Sequence, residues 1–479
     1  MKTLTFTFLF FIVLNDLYAK PNLTPYVFTN FWGNQKNSNS YKEPNSLNEL
    51  ISLVKINFKS STKYRVAGAR HANSLTAHSK EMIIDLHKMP RYLNFNKTTS
   101  TLTISSWVSL LEANEYLFKY GRVLSGTPSI GHQTIGGSIA TGSHSEGETP
   151  LLSDSVSSMS VLLPNGELKE ITDEKELSYH RVSLGLLGVI TEVTLKTIPL
   201  RRYKIISKYQ KINELKPLEI IHLSNSTERF LIDYFPYSKI ARIRKWQTIE
   251  DDSIETTPPE SEIDYESLLK FNFGKLSFHY PPLFNFLMNQ ELENRLNKKT
   301  ELVSAYSPNI LLENFARPDE KKSWGVRLLY SLPSKTKDFE IAVPIASLLA
   351  TLNFITLRMN DFYKENNIFH PFPLFIRFGK KSKESVLGMN ANRDTAFIII
   401  PISKDEHLQK TFAKELINKY SARIHLGKYS FNFNSTLIFK NYNQDDVKDF
   451  LNYRKKLDPT NLLINDWAKR LISRDIHLK

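Results

Sequence analysis

The 479 residues include no cysteine, which excludes disulfides, thiolate metal sites and attachment of any group through sulfur. Stability must therefore come from packing and hydrogen bonding alone. No internal repeat and no low-complexity tract is present, and a composition of 41% hydrophobic, 12% aromatic and 23% charged residues is that of an ordinary globular chain long enough for two or three domains. Neither the G-x-G-x-x-G fingerprint nor the Walker A pattern occurs, so the familiar glycine motifs for nucleotides are missing. The acidic residues fall short of the basic ones, leaving a formal charge of +14. That surplus favours anionic ligands by long-range steering. The Lys and Arg residues are spread along the chain and no nucleic-acid motif accompanies them, so no nucleic-acid partner is expected. No metal site is expected either.

Only one segment approaches a membrane span. Leu4 to Leu17 is apolar apart from threonines and Asn15-Asp16, follows Met1-Lys2 and leads to Tyr18-Ala19 before Lys20-Pro21. It is shorter than the roughly 20 residues a spanning helix needs. Residues 1–19 therefore read as a secretory signal peptide cleaved after Ala19, and the mature chain as exported, periplasmic or secreted. Membrane association is expected only if this segment stays uncleaved.

Glycine is scarce, yet five of the 17 (Gly131, Gly136, Gly137, Gly142 and Gly147) fall within residues 127–147. This stretch, Thr-Pro-Ser-Ile-Gly-His-Gln-Thr-Ile-Gly-Gly-Ser-Ile-Ala-Thr-Gly-Ser-His-Ser-Glu-Gly, suits a backbone that closes on a ligand. Gly136, Gly137 and Gly142 permit positive φ or close approach, and Ser129, Thr134, Thr141 and Ser143 offer hydroxyls. Upstream, Arg65-Val66-Ala67-Gly68-Ala69-Arg70-His71-Ala72-Asn73-Ser74 runs from an apolar strand into a tight turn that exposes consecutive amides, the local chemistry of a pyrophosphate cradle. A plain glycine-bearing surface loop is the rival reading of both.

Periodicity organises the rest. A strand from Thr101 leads into an amphipathic helix opened by Ser106, with Trp107, Leu110, Leu111, Leu117 and Phe118 at helical spacing before Gly121. Pro164-Asn165-Gly166 joins two strands as a hairpin. The alternating run Val189 to Ile198 stops at Pro199, a domain edge. The texture then changes, with an acidic, proline-bearing insert over Ile249 to Glu266 and a strand over Trp324 to Leu332 that ends at Pro333.

The order Gly68-x-x-His71, then Gly137-Ser138-Ile139-Ala140-Thr141-Gly142-Ser143-His144, then Leu184-Gly185-Leu186-Leu187-Gly188-Val189-Ile190-Thr191-Glu192 resembles flavoproteins of the vanillyl-alcohol oxidase type. Within them the chain is most similar to the sugar-1,4-lactone and alditol oxidases. His425-Leu426-Gly427-Lys428 resembles the His-Trp-Gly-Lys signature of that branch, Thr29-Asn30-Phe31-Trp32-Gly33 its aromatic entry motif, and Leu457 to Asn465 its terminal segment. The implied fold is α+β: a two-subdomain FAD-binding domain over residues 20–200, an α+β substrate or cap domain over 201–434, and a C-terminal return to the FAD-binding domain over 435–479.

The resemblance implies FAD, held by Gly68, Ala69, Arg70, His71, Ala72, Asn73, Ser74, Ser129, Gln133, Thr134, Gly136, Gly137, Ala140, Thr141, Gly142, His144, Gly188, Val189 and Ile190. His71 stands where the family attaches the flavin covalently; the alternatives are a histidine beside a noncovalent flavin or an ordinary loop residue. Ala72 replaces a usual serine, a contact Asn73 or Ser74 would have to supply. Ser145 replaces a glycine, at a cost if that position needs positive φ. On the substrate side the family carries Glu-x-Arg where this chain reads Phe375-Ile376-Arg377. Alternation puts Phe375 and Arg377 on one face. Arg377 and Lys428 would bind and polarise substrate oxygen, with His425 as support or proton acceptor. The implied reaction oxidises a sugar lactone, alditol or similar alcohol by hydride transfer to flavin N5. Oxygen is the expected acceptor, giving hydrogen peroxide, with a small residue at Gly136 as the opening for it. Phe375, Ser145 and Leu426 also motivate a rival from another class, a flavin-fold protein that binds without turnover.

Overall fold

The computed structural model describes residues 39–128, 130–147, 150–226, 229–249, 281–296, 299–304, 337–366, 373–402 and 406–473, with Phe28, Asn30 and Gln35. The export segment, most of the aromatic entry motif (Thr29, Phe31, Trp32, Gly33), Ser129, all but the first residue of the acidic insert and the strand expected over Trp324–Leu332 lie outside them.

Three sheets follow one another along the chain. In the first, β1 (Ser40–Lys42) and β2 (Tyr64–Ala67) flank β3 (Met82–Asp85), all parallel. The second comprises β4 (Leu93–Asn96), β5 (Thr101–Ser105), β6 (Arg122–Leu124), β7 (Val156–Leu162), β8 (Leu168–Ile171) and β9 (Val189–Pro199), in the order β4-β5-β9-β7-β8 with β6 also on β9. The third has eight strands, β10 (Arg202–Lys211), β11 (Arg229–Phe235), β12 (Ile240–Ile249), β13 (Lys299–Ser304), β14 (Lys337–Pro344), β15 (Leu374–Gly379), β16 (Thr395–Ile402) and β17 (Arg423–Ile424), ordered β13-β10-β12-β11-β15-β16-β14-β17. Helices pack on these layers, so the class is mixed α and β.

Local chemistry explains most element ends. Helix α1 (Leu47–Ser60) starts at Ser46, whose side chain accepts from the Glu49 amide, and ends in left-handed Ser61, both ordinary capping solutions. Helix α2 (Leu110–Phe118) begins four residues later than expected. Ser109 and Glu112 form a capping box there, whereas the Ser106 hydroxyl donates to the Ile190 carbonyl at 2.5 Å. The capping box satisfies two orphan donors at once, and it outcompetes a start at Ser106. Helix α3 (Ile135–Thr141) closes on Gly142 at φ 68°.

The layers are not independent. One core cluster runs from Leu151, Leu184 and Leu187 through Phe339, Ile376 and Phe397 to Phe450 and Trp467. The C-terminal segment reaches back to the first sheet, where the Tyr64 amide donates to Leu462 at 3.0 Å. Asp458 holds that segment by accepting from the Leu462 and Leu463 amides, both at 2.9 Å. Arg65 is the central tie. It is buried, and its guanidinium donates to the carbonyls of Thr76, Leu184, Gly185 and Leu463. Four acceptors offset the desolvation of a buried cation, which nonetheless pushes the group down to about 10.

Candidate active site

A cavity of about 620 Å3 lies between the loop after β2 and helix α3 on one side and a face of the third sheet on the other. Its size is within the roughly 300–1,000 Å3 of small-molecule and cofactor sites. The loop-side wall is made of Gly68, Ala69, Arg70, His71, Ala72, Gln133, Thr134, Gly137, Ala140 and Thr141, and the sheet-side wall includes Phe375 and Arg377; His144, His425 and Lys428 stand between. Residues from distant parts of the sequence thus converge on one space.

Each loop-side residue has a physical reason for its place. Gly68 is pressed against the opposite segment, since a Cβ there would come within 2.1 Å of Thr134 Oγ1. Arg70 adopts φ 60°, a left-handed turn that non-glycine residues rarely take. Its guanidinium is anchored on Asp85, with Nη2 at 2.6 Å and Nε at 2.7 Å from Oδ2. His71 is held down to about 4, chiefly by burial and then by His132 and Lys428. Its imidazole is therefore neutral at pH 7 and retains nucleophilic nitrogen. Gln133 accepts from the hydroxyls of Ser138 and Ser143 through one oxygen, at 3.1 and 3.0 Å.

Several residues named from the sequence lie off the cavity. Asn73 and Ser74 are buried, and their amides donate to the Gly427 carbonyl at 3.0 and 3.3 Å. They join the loop to the turn that carries Lys428, and Ala72 offers its carbonyl to Asn30 and Gln35. Gly136 faces Ser106, whose Cβ would lie 2.7 Å from an added methyl, so it presents no opening to the cavity. Gly142 caps α3, Gly188 packs on the Leu162 backbone, and Val189 and Ile190 are core residues of β9. Ser145 carries no backbone cost, because it is not among the described residues with positive φ and its amide donates to Pro150 at 2.8 Å.

The sequence reading missed Glu340. From β14 its carboxylate reaches His144, with Nε2 to Oε1 at 2.5 Å, both groups buried. The other nitrogen of His144 lies 3.0 Å from the Ser145 carbonyl, which only accepts, so Nδ1 is the donor there. Burial pushes the Glu340 carboxyl up, but the neighbouring His144, with His425 and Lys428 adding to it, holds it well below the usual carboxylate range. His425 lies beside them, and ligand atoms of the three residues fall within 4.8 Å of one another. His425 Nδ1 accepts from the Gly427 amide at 3.0 Å, and burial holds the ring down to about 4. Its proton is therefore on Nε2 at neutral pH, an arrangement that suits the supporting role, the first of the two expected for it. No motif flags Glu340, which sits on β14 between the apolar residues Phe339 and Ile341.

Arg377 lies on the cavity face of β15 and donates to the His144 carbonyl at 3.2 Å. Phe375, two residues away, is the most exposed residue of that strand at 37%. Donors for a developing oxyanion, a neutral nucleophilic histidine and an amide-rich loop therefore share one cavity.

The profile of the FAD binding domain family matches residues 39–172, and that of D-arabinono-1,4-lactone oxidase matches residues 193–471. L-gulono-1,4-lactone dehydrogenase of Mycobacterium tuberculosis is 24% identical over 441 residues, covering 90% of this chain and 95% of that protein. Mouse L-gulonolactone oxidase is 28% identical over 203 residues, 42% of this chain and 46% of its own. D-Arabinono-1,4-lactone oxidase of Yarrowia lipolytica is 27% identical over 245 residues, 48% of this chain and 46% of that one. Cholesterol oxidase of Brevibacterium sterolicum superposes with a TM-score of 0.68 at 13% identity, over 95% of this chain and 99% of that one, a likeness of fold.

Proposed function

Because this chain belongs to the D-arabinono-1,4-lactone oxidase family, we propose that it oxidises a sugar lactone, an alditol or a similar alcohol in the cavity described above. It is an FAD-dependent oxidoreductase. The residues present fit that cofactor: a loop-side wall of small side chains and amides, tight enough at Gly68 that a methyl would collide with Thr134. Gly68 to Ala72, Gln133, Thr134, Gly137, Ala140 and Thr141 would hold FAD, which when bound supplies the two-electron acceptor for a carbinol hydride.

The observation that carries the reading is the convergence of His71, His425, Lys428 and Arg377 on one cavity. Arg377 and Lys428 bind the substrate oxygen, whose hydroxyl proton passes to solvent water as the hydride leaves carbon, and the His425 Nε2–H donates to the negative charge that develops on it. The His144–Glu340 pair fixes the loop from which Arg377 takes its carbonyl acceptor. His71 is the covalent attachment point, supported by its neutral, buried ring. Oxygen is the acceptor and hydrogen peroxide the product, a reading supported by relatives named oxidases and opposed by the one named a dehydrogenase. Residues 1–19 direct export. Among the described residues no helix is long and apolar enough to cross a membrane.

Acid precipitation of the purified protein tests the attachment. Flavin fluorescence should remain in the pellet and move to the supernatant in His71→Ala; acid-stable flavin in that variant would remove His71 from the role. Peroxide formation matched to oxygen uptake during lactone turnover tests the acceptor, and N-terminal sequencing of the exported chain tests cleavage after Ala19.

A further inference from the structure

We propose that the substrate is an anionic sugar derivative, a polyol chain or lactone ring bearing a carboxylate or phosphate, whose charged end lies against Arg242 and Arg244. The inference rests on the sugar-oxidising reading above and narrows it. Its basis is the register of the third sheet. Leu231 on β11 pairs with Arg244 on one side and Arg377 on the other, and Asp233 pairs with Arg242 and Phe375. Arg244 and Arg377 thus share a rung two strand spacings wide, about 10 Å. All of these residues line the cavity. A substrate held at Arg377 by its reacting carbinol would bring its far end to β12.

Charge on this wall is unbalanced. Arg242 and Arg244 of β12 face a single carboxylate across the β11 rung, Asp233, and that is already bound by Arg244 Nη2 at 2.6 Å. The other acid on that side, Glu146, lies 3.5 Å from Arg229. Arg242 has no ion-pair partner among the described residues, and its guanidinium lies 5.9 Å from the Tyr209 ring.

Hydrogen bonding points the same way. Arg242 Nε, Arg244 Nε and Trp246 Nε1 are buried atoms without a hydrogen-bond acceptor among the described residues, and Trp246 is only 3% exposed. Three successive cavity-facing positions of one strand therefore offer donors and no acceptor. A buried donor left unmade costs about 1–3 kcal/mol, and guanidinium groups are best satisfied by a carboxylate or phosphate. On the Arg242 rung, Phe375 places a ring where a carboxylate would have repelled such an anion. A neutral lactone would leave Arg242 without a counter-charge.

The experiment uses the FAD-loaded enzyme and two readouts. Perturbation of the flavin spectrum is titrated with D-galacturonate, sorbitol 6-phosphate, galactose and sorbitol, and anaerobic flavin reduction is followed with the same compounds and with D-arabinono-1,4-lactone. At least one anion should bind ten-fold or more tightly than its neutral counterpart, with the advantage shrinking as salt is raised. Galacturonate and sorbitol 6-phosphate separate carboxylate from phosphate. In Arg242→Met that preference should fall ten-fold or more through KM at unchanged flavin content, and Arg242→Lys should restore part of it. Equal binding of anions and neutral sugars, or loss of FAD from Arg242→Met, would overturn the proposal, the second because the arginines would then serve the cofactor. Anion binding without reduction by any compound would retain the charged subsite and instead sink the sugar-oxidising reading.

Discussion

The two walls of the cavity recognise by different means. On the loop side Gly68, Ala69, Ala72, Gly137 and Ala140 contribute little beyond backbone, and the cations there are spent, Arg70 on Asp85 and Arg65 on backbone carbonyls. On the sheet side Arg242, Arg244, Trp246, Phe375 and Arg377 project from strands, and recognition is by side chain. A main-chain wall has its geometry fixed by turns and tolerates little substitution. A side-chain wall can be rewritten residue by residue without disturbing the sheet beneath it. If FAD lies on the first wall and substrate on the second, as proposed above, cofactor binding and substrate choice are separated within one space.

That separation can be broken most severely at Gly68. Gly68→Val places a side chain where even a methyl meets Thr134 Oγ1 at 2.1 Å, and purified protein should retain less than roughly a tenth of its flavin, read from the ratio of visible to ultraviolet absorbance, because overpacking of this kind has no nearby space to relax into. Full flavin content would show that the wall is more pliable than its contacts suggest. Where the two walls meet, Glu340→Gln removes the charge facing His144; breaking a buried pair costs about 3–5 kcal/mol, visible as a lower urea midpoint at unchanged slope. An unchanged midpoint would mean that the pair is not ionic.

A smaller effect is expected from Phe375→Glu on the sheet wall. Flavin content should stay constant while preference shifts about ten-fold from anionic towards neutral polyols, near 1.4 kcal/mol; coupled loss of flavin would abolish the distinction between the walls. A further effect concerns pH. His425 is held at about 4 in the folded chain against about 6.5 when unfolded, so between these values the unfolded state binds more protons. Stability therefore falls as pH drops from 6.5 towards 4. Thermal melts should show this, with a shallower slope in His425→Asn.

How much of each wall is legible in sequence follows from the same contrast. The loop side is written in contiguous residues, so Gly68-x-x-His71 and the run from Gln133 to His144 can be read directly. The sheet side is assembled by register between strands far apart in the chain. Alternation puts Phe375 and Arg377 on one face, but nothing in the sequence aligns Leu231 with both Arg244 and Arg377. Glu340 is hidden for a related reason, since its partner His144 is 196 residues away. Gly188, Val189 and Ile190 belong to a recognisable block, and what the structure adds is their packing: Gly188 lies on the Leu162 backbone and Val189 and Ile190 belong to the core of β9.

Arg65 carries a consequence for how the protein is made. Its guanidinium needs the carbonyl of Leu463, 398 positions later, and the strand it sits on needs Leu462. A nascent chain that does not yet include Leu462 and Leu463 has β2 without those partners and a cation short of one acceptor. The loop that follows β2 therefore gains its final support only after these late residues have been made.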